Sequence, residues 1–424
     1  MEVDNEDVEK PQEKADGEEE MSIEDEYKMW KENSSLMYKY VSQTALTWPS
    51  LSIQWLPSIE INKENETIKT QLIIGSDTSG SEDDFLKIAS KELPLSIIDD
   101  KLKNETTSGF KINKRFKHKT EINRARYMPQ NPQIIATISG SGNSYIYVNS
   151  AKKSKNRKCI LSLKYHKKNG FGLSWNPNDE GKLLTSADDS KICLWDINSK
   201  NISVELNNTP TSLQPSNVLN DHTDIVNDVK WHNFNENLFG SVSDDKNLFI
   251  YDVRTLSTGP VLKKTNAHHN DGINSLSFSN FSTNLLATGS LDSTIGLFDL
   301  RNIETKLHLM VGHKNAITSL EWSPHQDGFL ASGSEDRRVI IWDISKIGEE
   351  QNQDDADDGA PELFMMHAGH TALVTDISWH PDKRLKWLLA STANDNIIQL
   401  WKVKNKISDP VDGIETTLPD SFFE

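Results

Sequence analysis

The chain has 424 residues, of which 46 are Lys or Arg and 63 are Asp or Glu, so its formal net charge is -17. This acidic balance disfavours direct binding to DNA or to anionic membranes and favours basic partners. No apolar run approaches the roughly 18 residues of a membrane span, and we expect no signal peptide. Two cysteines without metal-ligand spacing, Cys159 and Cys193, fit a reducing compartment. We therefore expect a protein of the cytoplasm and nucleus without metal or cofactor.

The first 42 residues predict a tail followed by a helix. Residues 1–21 are almost entirely polar and predict a disordered acidic tail. Residues 22–42 predict a helix with Ser22 as its N-cap and Asp25 three positions later. Two apolar stripes follow it, one formed by Trp30, Met37 and Val41, the other by Met29, Leu36 and Tyr40. Either the stripes make one wide buried face, or one docks on the domain while the other binds a partner.

Residues 43–405 alternate short β-branched and apolar runs with turn-forming residues, which predicts antiparallel strands. Six units share an aromatic residue at their end, Asp or Ser six positions earlier, Ser or Thr ten positions earlier, and a histidine further upstream. The aromatic residues are Tyr147, Trp195, Tyr251, Phe298, Trp342 and Trp401, and the histidines are His118, His166, His222, His269, His313 and His370. A period of about 45 residues with several strands per unit predicts a propeller.

A seventh blade is predicted before the first unit. Residues 46–98 contain three strand-like runs without the repeated residues, and they supply most of a blade that closes the ring without exposed edges. We therefore predict an all-β, seven-bladed propeller with an N-terminal helix. Residues 99–109 and 199–220 are expected to be exposed polar insertions. The basic run at 152–158 is either a nuclear address or a solvated hairpin.

The repeated polar residues resemble the network of the WD-repeat family. The fullest sets are His166, Thr185, Asp189 and Trp195, and His313, Ser332, Asp336 and Trp342. A hydrolase triad is needed once, whereas these residue types recur at nearly constant spacing. The resemblance implies that they hydrogen-bond each blade's loop to its strands, which satisfies buried polar groups. An enzyme would need an unrepeated polar set in the channel, and we expect none.

The loop at 347–362 is the most acidic part of the predicted propeller. Six of the first ten residues of Glu349–Glu362 are acidic and none is basic, so the loop gains nothing from folding alone. Apolar residues follow at 363–366. The combination predicts a groove with an acidic lip and an apolar floor for a basic amphipathic helix. The alternative is an unstructured acidic insertion.

Four stretches resemble the histone-binding WD-repeat proteins of the retinoblastoma-binding-protein type: residues 23–57, 122–132, the acidic loop, and 367–372. The resemblance runs from about residue 22 to 405. It implies that the first helix of histone H4 lies between the N-terminal helix and the acidic loop. The implied apolar contacts are Leu36, Met37, Tyr40, Val41 and Met366. The implied partners of histone arginines are Asp354, Asp355, Asp357 and Asp358, since carboxylates match the planar guanidinium at two points.

The resemblance implies a second site for the histone H3 tail at the mouth of the central channel. The corresponding residues are Trp48, Glu121, Asn123, Arg124, Asn169, Phe171, Asn227, Asn274 and Asn394. Several family members carry glutamates around this rim, so the asparagines here imply weaker attraction of a basic tail. Alternatively, these asparagines only cap loops. Family members often end in a short helix, whereas residues 406–424 show little helical pattern.

The function implied by the resemblance is that of a non-catalytic subunit. It would bind histone H4 and H3–H4 and present the H4 tail to the catalytic subunit of a type B histone acetyltransferase before chromatin assembly. One alternative is a histone-chaperone subunit of a chromatin-assembly or deacetylase complex. Another is a scaffold for non-histone proteins, such as a ubiquitin-ligase substrate receptor, and a third is an enzymatic propeller.

Overall fold

The computed structural model describes residues 21–98, 110–149, 159–197, 211–268, 271–352 and 359–404. Their strands form seven sheets of four or five strands, each of them mainly antiparallel. The innermost strands of successive sheets lie against one another, and the innermost strand of the first sheet contacts that of the last. The sheets therefore close into a ring, which confirms the seven-bladed propeller.

The first two blades each carry an additional strand. Blade 1 consists of β2 (Ile53–Trp55), β4 (Thr67–Ile74), β5 (Asp84–Pro94) and β6 (Lys111–His118), with β3 (Glu60–Asn62) paired to β4. Blade 2 consists of β7 (Ile122–Met128), β8 (Asn131–Ser139), β9 (Ser144–Val148) and β10 (Leu161–Leu163), with β14 (Thr211–Leu213) parallel to β10. Residues 46–98 thus supply most of a blade, as predicted.

The next four blades follow one plan, in which three strands are joined by tight turns and a fourth forms the outer edge. Blade 3 consists of β11 (Gly170–Trp175), β12 (Lys182–Ala187), β13 (Ile192–Asp196) and β15 (Asn217–Leu219). Blade 4 consists of β16 (Val226–Trp231), β17 (Leu238–Ser243), β18 (Leu248–Asp252) and β19 (Leu262–Lys264). Blade 5 consists of β20 (Ile273–Phe278), β21 (Leu285–Ser290), β22 (Ile295–Asp299) and β23 (Lys306–Met310). Blade 6 consists of β24 (Ile317–Trp322), β25 (Phe329–Ser334), β26 (Val339–Asp343) and β27 (Leu363–His367).

Blade 7 is completed by the start of the chain. Its inner strands are β28 (Val374–Trp379), β29 (Leu388–Ala393) and β30 (Ile397–Val403), and its outer strand is β1 (Tyr38–Ala45). The helix α1 (Ile23–Met37) runs directly into β1. The prediction of a helix to Ser42 was therefore wrong at its end. The backbone of β1 pairs with β30, and this ladder joins the two ends of the ring.

Several smaller predictions are settled by the same elements. Ser22 caps α1, because its hydroxyl oxygen accepts from the Asp25 backbone N–H at 3.2 Å. The insertion predicted at 199–220 contains two short strands, β14 and β15, since residues 211–219 extend the outer edges of blades 2 and 3. The predicted tail at 1–20, the insertion at 99–109, the basic run at 152–158 and the C-terminal 406–424 lie outside the described residues. Within the described ranges, no helix is both long and apolar enough to cross a bilayer.

The core lies between and within the blades. Its largest fully buried side chains include four tryptophans, Trp55, Trp195, Trp342 and Trp401, and three of these are the closing aromatics of the repeat. Both cysteines are free, and the described residues hold no cluster of His, Cys, Asp or Glu suited to a metal ion. Short 3-10 helices lie at Leu95–Ile97, Val253–Thr258, Ile344–Lys346 and Lys383–Leu385.

Candidate functional site

The repeated polar residues form one hydrogen-bonded chain per blade. In blade 6 the Trp342 indole donates to the Ser332 hydroxyl at 2.8 Å, and that hydroxyl lies 2.7 Å from His313 Nε2. His313 Nδ1 lies 2.8 Å from Asp336. Blade 3 repeats the arrangement with Trp195, Thr185, His166 and Asp189. This network is structural, as the resemblance implied.

Blade 5 departs from the predicted spacing. The histidine in contact with Thr288 is His268, at 2.8 Å, one residue before the predicted His269. The Nδ1 of His268 contacts the Thr294 hydroxyl at 3.0 Å, and this hydroxyl donates to Asp292 at 2.6 Å. A hydroxyl thus bridges histidine and carboxylate, which tolerates the altered spacing. His269 itself lies outside the described residues.

The network predicts a loss of stability in acid. Burial by itself raises the pKa of Asp336, but the hydrogen bond and charge of His313 and two backbone N–H groups outweigh burial and hold it below 3.8. The pKa values of the Asp189, Asp245 and Asp395 carboxyls are lowered by the same arrangement. A depressed pKa contributes stability above the unfolded value, and this stability is lost as the pH falls below about 4. Melting temperatures should therefore differ most between wild type and Asp336→Asn near neutral pH and converge in acid. A constant difference down to about pH 3 would contradict this assignment.

The helix α1 lies across the junction of blades 6 and 7. Its Trp30 indole donates to the Tyr38 hydroxyl at 3.0 Å, and Tyr38 Oη lies 2.7 Å from His367 Nδ1 on β27. Burial lowers the pKa of His367 well below 6.5, so its ring is neutral and can accept from Tyr38. The Trp30 ring packs so closely over Gly369 that a Cβ at that position would clash with it. This junction fixes the helix to the outer strands of both blades.

An ion pair holds the first turns of α1. Glu26 lies 2.6 Å from Arg337 and 3.0 Å from Arg338, two residues in the turn between β25 and β26. The turn is tight because Arg337 has a φ of 73°. The sequence analysis missed this contact, and the signal available was the Arg337-Arg338 pair at a turn that holds other residue types in the remaining units.

One apolar stripe of α1 docks and the other faces outwards. Trp30 and Met37 are 6% and 3% exposed, whereas Leu36 is 47% exposed and Met29 is half-buried. The hypothesis of a single wide buried face was therefore wrong for the described helix. Tyr40 and Val41 lie on β1, not on the helix: Tyr40 is 7% exposed and packs in the core between blades 7 and 1, and Val41 is half-buried. Of the predicted apolar contacts, Leu36 and the half-buried Met366 on β27 present the most accessible side chains.

The acidic loop joins β26 to β27, the strand that carries His367. Its first part is held by the exposed Lys346–Glu349 ion pair at 3.0 Å. Its last part is anchored by the buried Glu362, whose carboxylate lies 2.8 Å from His308 of blade 5. Asp354, Asp355, Asp357 and Asp358 lie outside the described residues, so their predicted role stays a prediction. Leu363, Phe364 and Met366 are half-buried, whereas Met365 belongs to the core beneath α1.

The asparagines predicted at the channel mouth connect neighbouring blades. The side-chain amide of Asn227 donates to the Ile273 carbonyl at 3.1 Å, and that of Asn274 donates to the Ile317 carbonyl at 3.0 Å. The Asn123 amide donates to Asn169 and to the Gly170 carbonyl. Such bonds tie blades together and leave fewer hydrogen-bonding groups for a peptide. They favour a structural role, although between blades and not as loop caps.

The other channel-mouth residues occupy varied positions. Trp48 is half-buried, and its indole donates to Glu82 at 3.2 Å. Glu121 and Phe171 are half-buried, and Asn394 is exposed. Arg124 points into the channel, where it pairs with Asp228.

An unrepeated polar set does occur deeper in the channel, so the expectation that none exists was wrong. Its members come from four blades: Arg124, Arg126, Asp228, Lys230, Glu321 and Asp376. Two pairs alternate along β7 and β16, and the two-residue period of a strand could have placed each pair on one face. Their convergence could not be predicted, because it depends on the closure of the ring.

Comparisons with known proteins agree with this architecture. A family model described as the histone-binding protein RBBP4, or a component of the CAF1 complex, matches residues 25–95. The WD domain, G-beta repeat model matches residues 157–196, 213–252, 259–299, 304–343 and 362–402. The chain is 47% identical over 410 residues to the histone acetyltransferase type B subunit 2 of Debaryomyces hansenii, covering 94% of this chain and 95% of the relative. It is 48% identical over 424 residues to the protein of that name from Mycosarcoma maydis, again covering 94% and 95%.

The chain belongs to this family. The Schizosaccharomyces pombe relative of the same name is 47% identical over 392 residues, covering 90% of each chain. In this member of the family, the sequence repeat and the blade are offset. The window 304–343, for example, spans β23 of blade 5 and the three inner strands of blade 6. Each repeat therefore links two blades, and the first family model covers α1 together with the strands that begin the ring.

Proposed function

We propose that this chain is the non-catalytic, histone-binding subunit of a type B histone acetyltransferase. The observation that carries the proposal is the outward-facing Leu36 stripe of α1 beside the strand in which the acidic loop ends. Relatives that match nearly the whole chain bear the name of that complex, and the model matching α1 and blade 1 is described as histone-binding. The ligand is the first helix of histone H4, alone or in H3–H4.

The chemistry of the two walls suits a basic amphipathic helix. Leu36 and Met366 offer apolar surface, and burying such side chains drives helix-in-groove recognition. The carboxylates at 354, 355, 357 and 358 would then bind arginines on the polar face of the histone helix. The net charge of -17 adds long-range attraction to a basic partner and none to DNA.

The subunit acts by anchoring the substrate. A histone held by its first helix keeps its N-terminal tail near the catalytic subunit, which raises the effective concentration of the tail at the active site. We propose that this happens in cytoplasm and nucleus on newly made histones before chromatin assembly. Nothing in this role needs a catalytic group or a cofactor on the propeller.

The groove is tested by calorimetric titration with an H4 peptide that spans the tail and the first helix. The intact protein is compared with a variant that carries Asn at 354, 355, 357 and 358. Exposed ion pairs contribute about 0.2–1 kcal/mol each, so we expect binding to weaken by about 1–4 kcal/mol. Its salt dependence should flatten as well. Equal affinity of the two proteins would refute the groove.

The assignment to one complex requires a separate experiment. Immunoprecipitation of the tagged chain should recover an acetyltransferase catalytic subunit that acetylates the H4 tail. Recovery of chromatin-assembly or deacetylase subunits without acetyltransferase activity would favour the alternative histone-chaperone role. Retained partner binding by the four-Asn variant, with no histones recovered from either protein, would favour a non-histone scaffold.

A further inference from the structure

The central channel contains a cavity of about 250 Å³ that the proposed histone sites do not use. It is lined by side chains of the innermost strands of all seven blades, from β2 to β28. Three cationic side chains reach it, those of Arg124, Arg126 and Lys230, and each is mostly buried. Charged groups in such a place must be compensated, so their partners decide what else the cavity can bind.

The two aspartates of the cavity are already saturated with donors. Asp376 accepts from Arg126, from the Ser52 hydroxyl and from the Ile53 backbone N–H. Asp228 accepts from Arg124 and from the backbone N–H groups of Val229 and Leu276. These carboxylates hold blades together and have little capacity left for a ligand.

The unused capacity belongs to hydrogen-bond donors. Lys230 Nζ lies 3.7 Å from Asp228, beyond hydrogen-bond distance. Trp231 is 4% exposed, and its indole N–H has no partner among the described residues. The indoles of the equivalent Trp175, Trp322 and Trp379 all donate to a carbonyl of the preceding blade at 3.0 Å. A buried donor without a partner is costly and marks a place where a ligand can bind.

We propose that the channel binds a small oxyanion of the sulfate or phosphate type, held by Lys230, Arg124 and the Trp231 indole. Such ions present several acceptor oxygens and no carbon surface, which matches a cavity with spare donors and saturated acceptors. A cation is disfavoured, because it would face three positive side chains. The site is independent of the proposed histone groove, which lies on α1 and β27.

Glu321 couples this site to protons. Its carboxylate on β24 accepts from the Trp379 backbone N–H at 3.0 Å. Burial raises its pKa to about 7, against the lowering effects of that hydrogen bond and of Arg126. Asp376 on β28 raises it further, whereas Lys230 on β16 lowers it. An anion beside Glu321 should favour its neutral form, so binding takes up a proton and weakens as the pH rises through 7.

Sulfate is the probe of choice, because it does not titrate near neutrality as phosphate does. The full-length protein is titrated with sodium sulfate at constant ionic strength, at about pH 6 and pH 8. We expect saturable binding that is tighter at the lower pH. Lys230→Met should weaken it about tenfold, the effect of losing a charge-assisted hydrogen bond. The matched control is Lys168→Met, which removes an exposed lysine 3.5 Å from Asp188 and should change nothing.

Glu321→Gln provides the opposite prediction and guards against a misfolded Lys230 variant. It should bind sulfate at pH 8 as tightly as the wild type does at pH 6, with no remaining pH dependence. The proposal is overturned by the absence of saturable sulfate binding. It is equally overturned if Lys168→Met weakens binding as much as Lys230→Met, or if Glu321→Gln keeps the wild-type pH dependence. Binding of the H4 peptide should be unaffected by either channel variant, so this test and that of the groove fail separately.

Discussion

A chain that begins at residue 46, without α1 and β1, is expected to aggregate instead of folding into a soluble ring. Its β30 would lose the seven residue pairs that join it to β1, from Tyr38↔Val403 to Ala45↔Ile397. Unpaired backbone groups at a sheet edge are a template for pairing with another chain. The exposed edge would also lie at the point where the ring closes.

The side chains removed by this truncation add to the effect. Trp30, Met37, Tyr38 and Tyr40 are all buried, and loss of one large core side chain costs about 2–5 kcal/mol. Together they approach the whole stability of a typical domain, about 5–15 kcal/mol. The measurement is the yield of monomer in size-exclusion chromatography and the cooperativity of thermal unfolding.

The matched control is a chain that begins at residue 21. Residues 1–20 are mostly polar and acidic, so their removal takes few apolar side chains away. Its melting temperature should stay close to that of the full chain. A soluble, cooperatively folding chain from residue 46 would show that the ring closes without the N-terminal strand.

The repeat network could be predicted from the sequence because it is local. His313, Ser332, Asp336 and Trp342 belong to one unit, and their spacing follows from the turns and strand lengths between them. The same logic failed in blade 5, where two adjacent histidines offered alternative registers. Spacing favoured His269, whereas the structure uses His268 with the Thr294 hydroxyl as a bridge.

The end of α1 could not be predicted, because its cause is distant in sequence. Residues 38–42 continue the apolar pattern of the helix, but their backbone pairs with residues 400–403 at the other end of the chain. Local periodicity carries no information about such a partner. The tertiary ladder overrides helix propensity, which places Tyr40 and Val41 on a strand and leaves Leu36 as the exposed end of the helical stripe.

Trp30→Ala is the second change with a large expected effect. Trp30 fills the space between α1, Gly369 and His367, so its removal leaves a cavity and an unpaired Tyr38 hydroxyl. Truncation of a buried tryptophan costs about 3–5 kcal/mol. We expect α1 to detach from blades 6 and 7, which hydrogen exchange of residues 23–37 would report as a loss of protection. Histone peptide binding should fall with it.

Leu36→Asp separates docking of the helix from use of its outer face. Leu36 is 47% exposed and contributes little to the core, so the melting temperature and the exchange protection of α1 should stay unchanged. Binding of the H4 peptide should nevertheless weaken, because a carboxylate would replace apolar surface at the groove, and burying a charge without a partner is unfavourable. If Leu36→Asp binds like the wild type while Trp30→Ala does not, α1 supports the ligand site only indirectly, and the contact surface lies on β27 and the acidic loop.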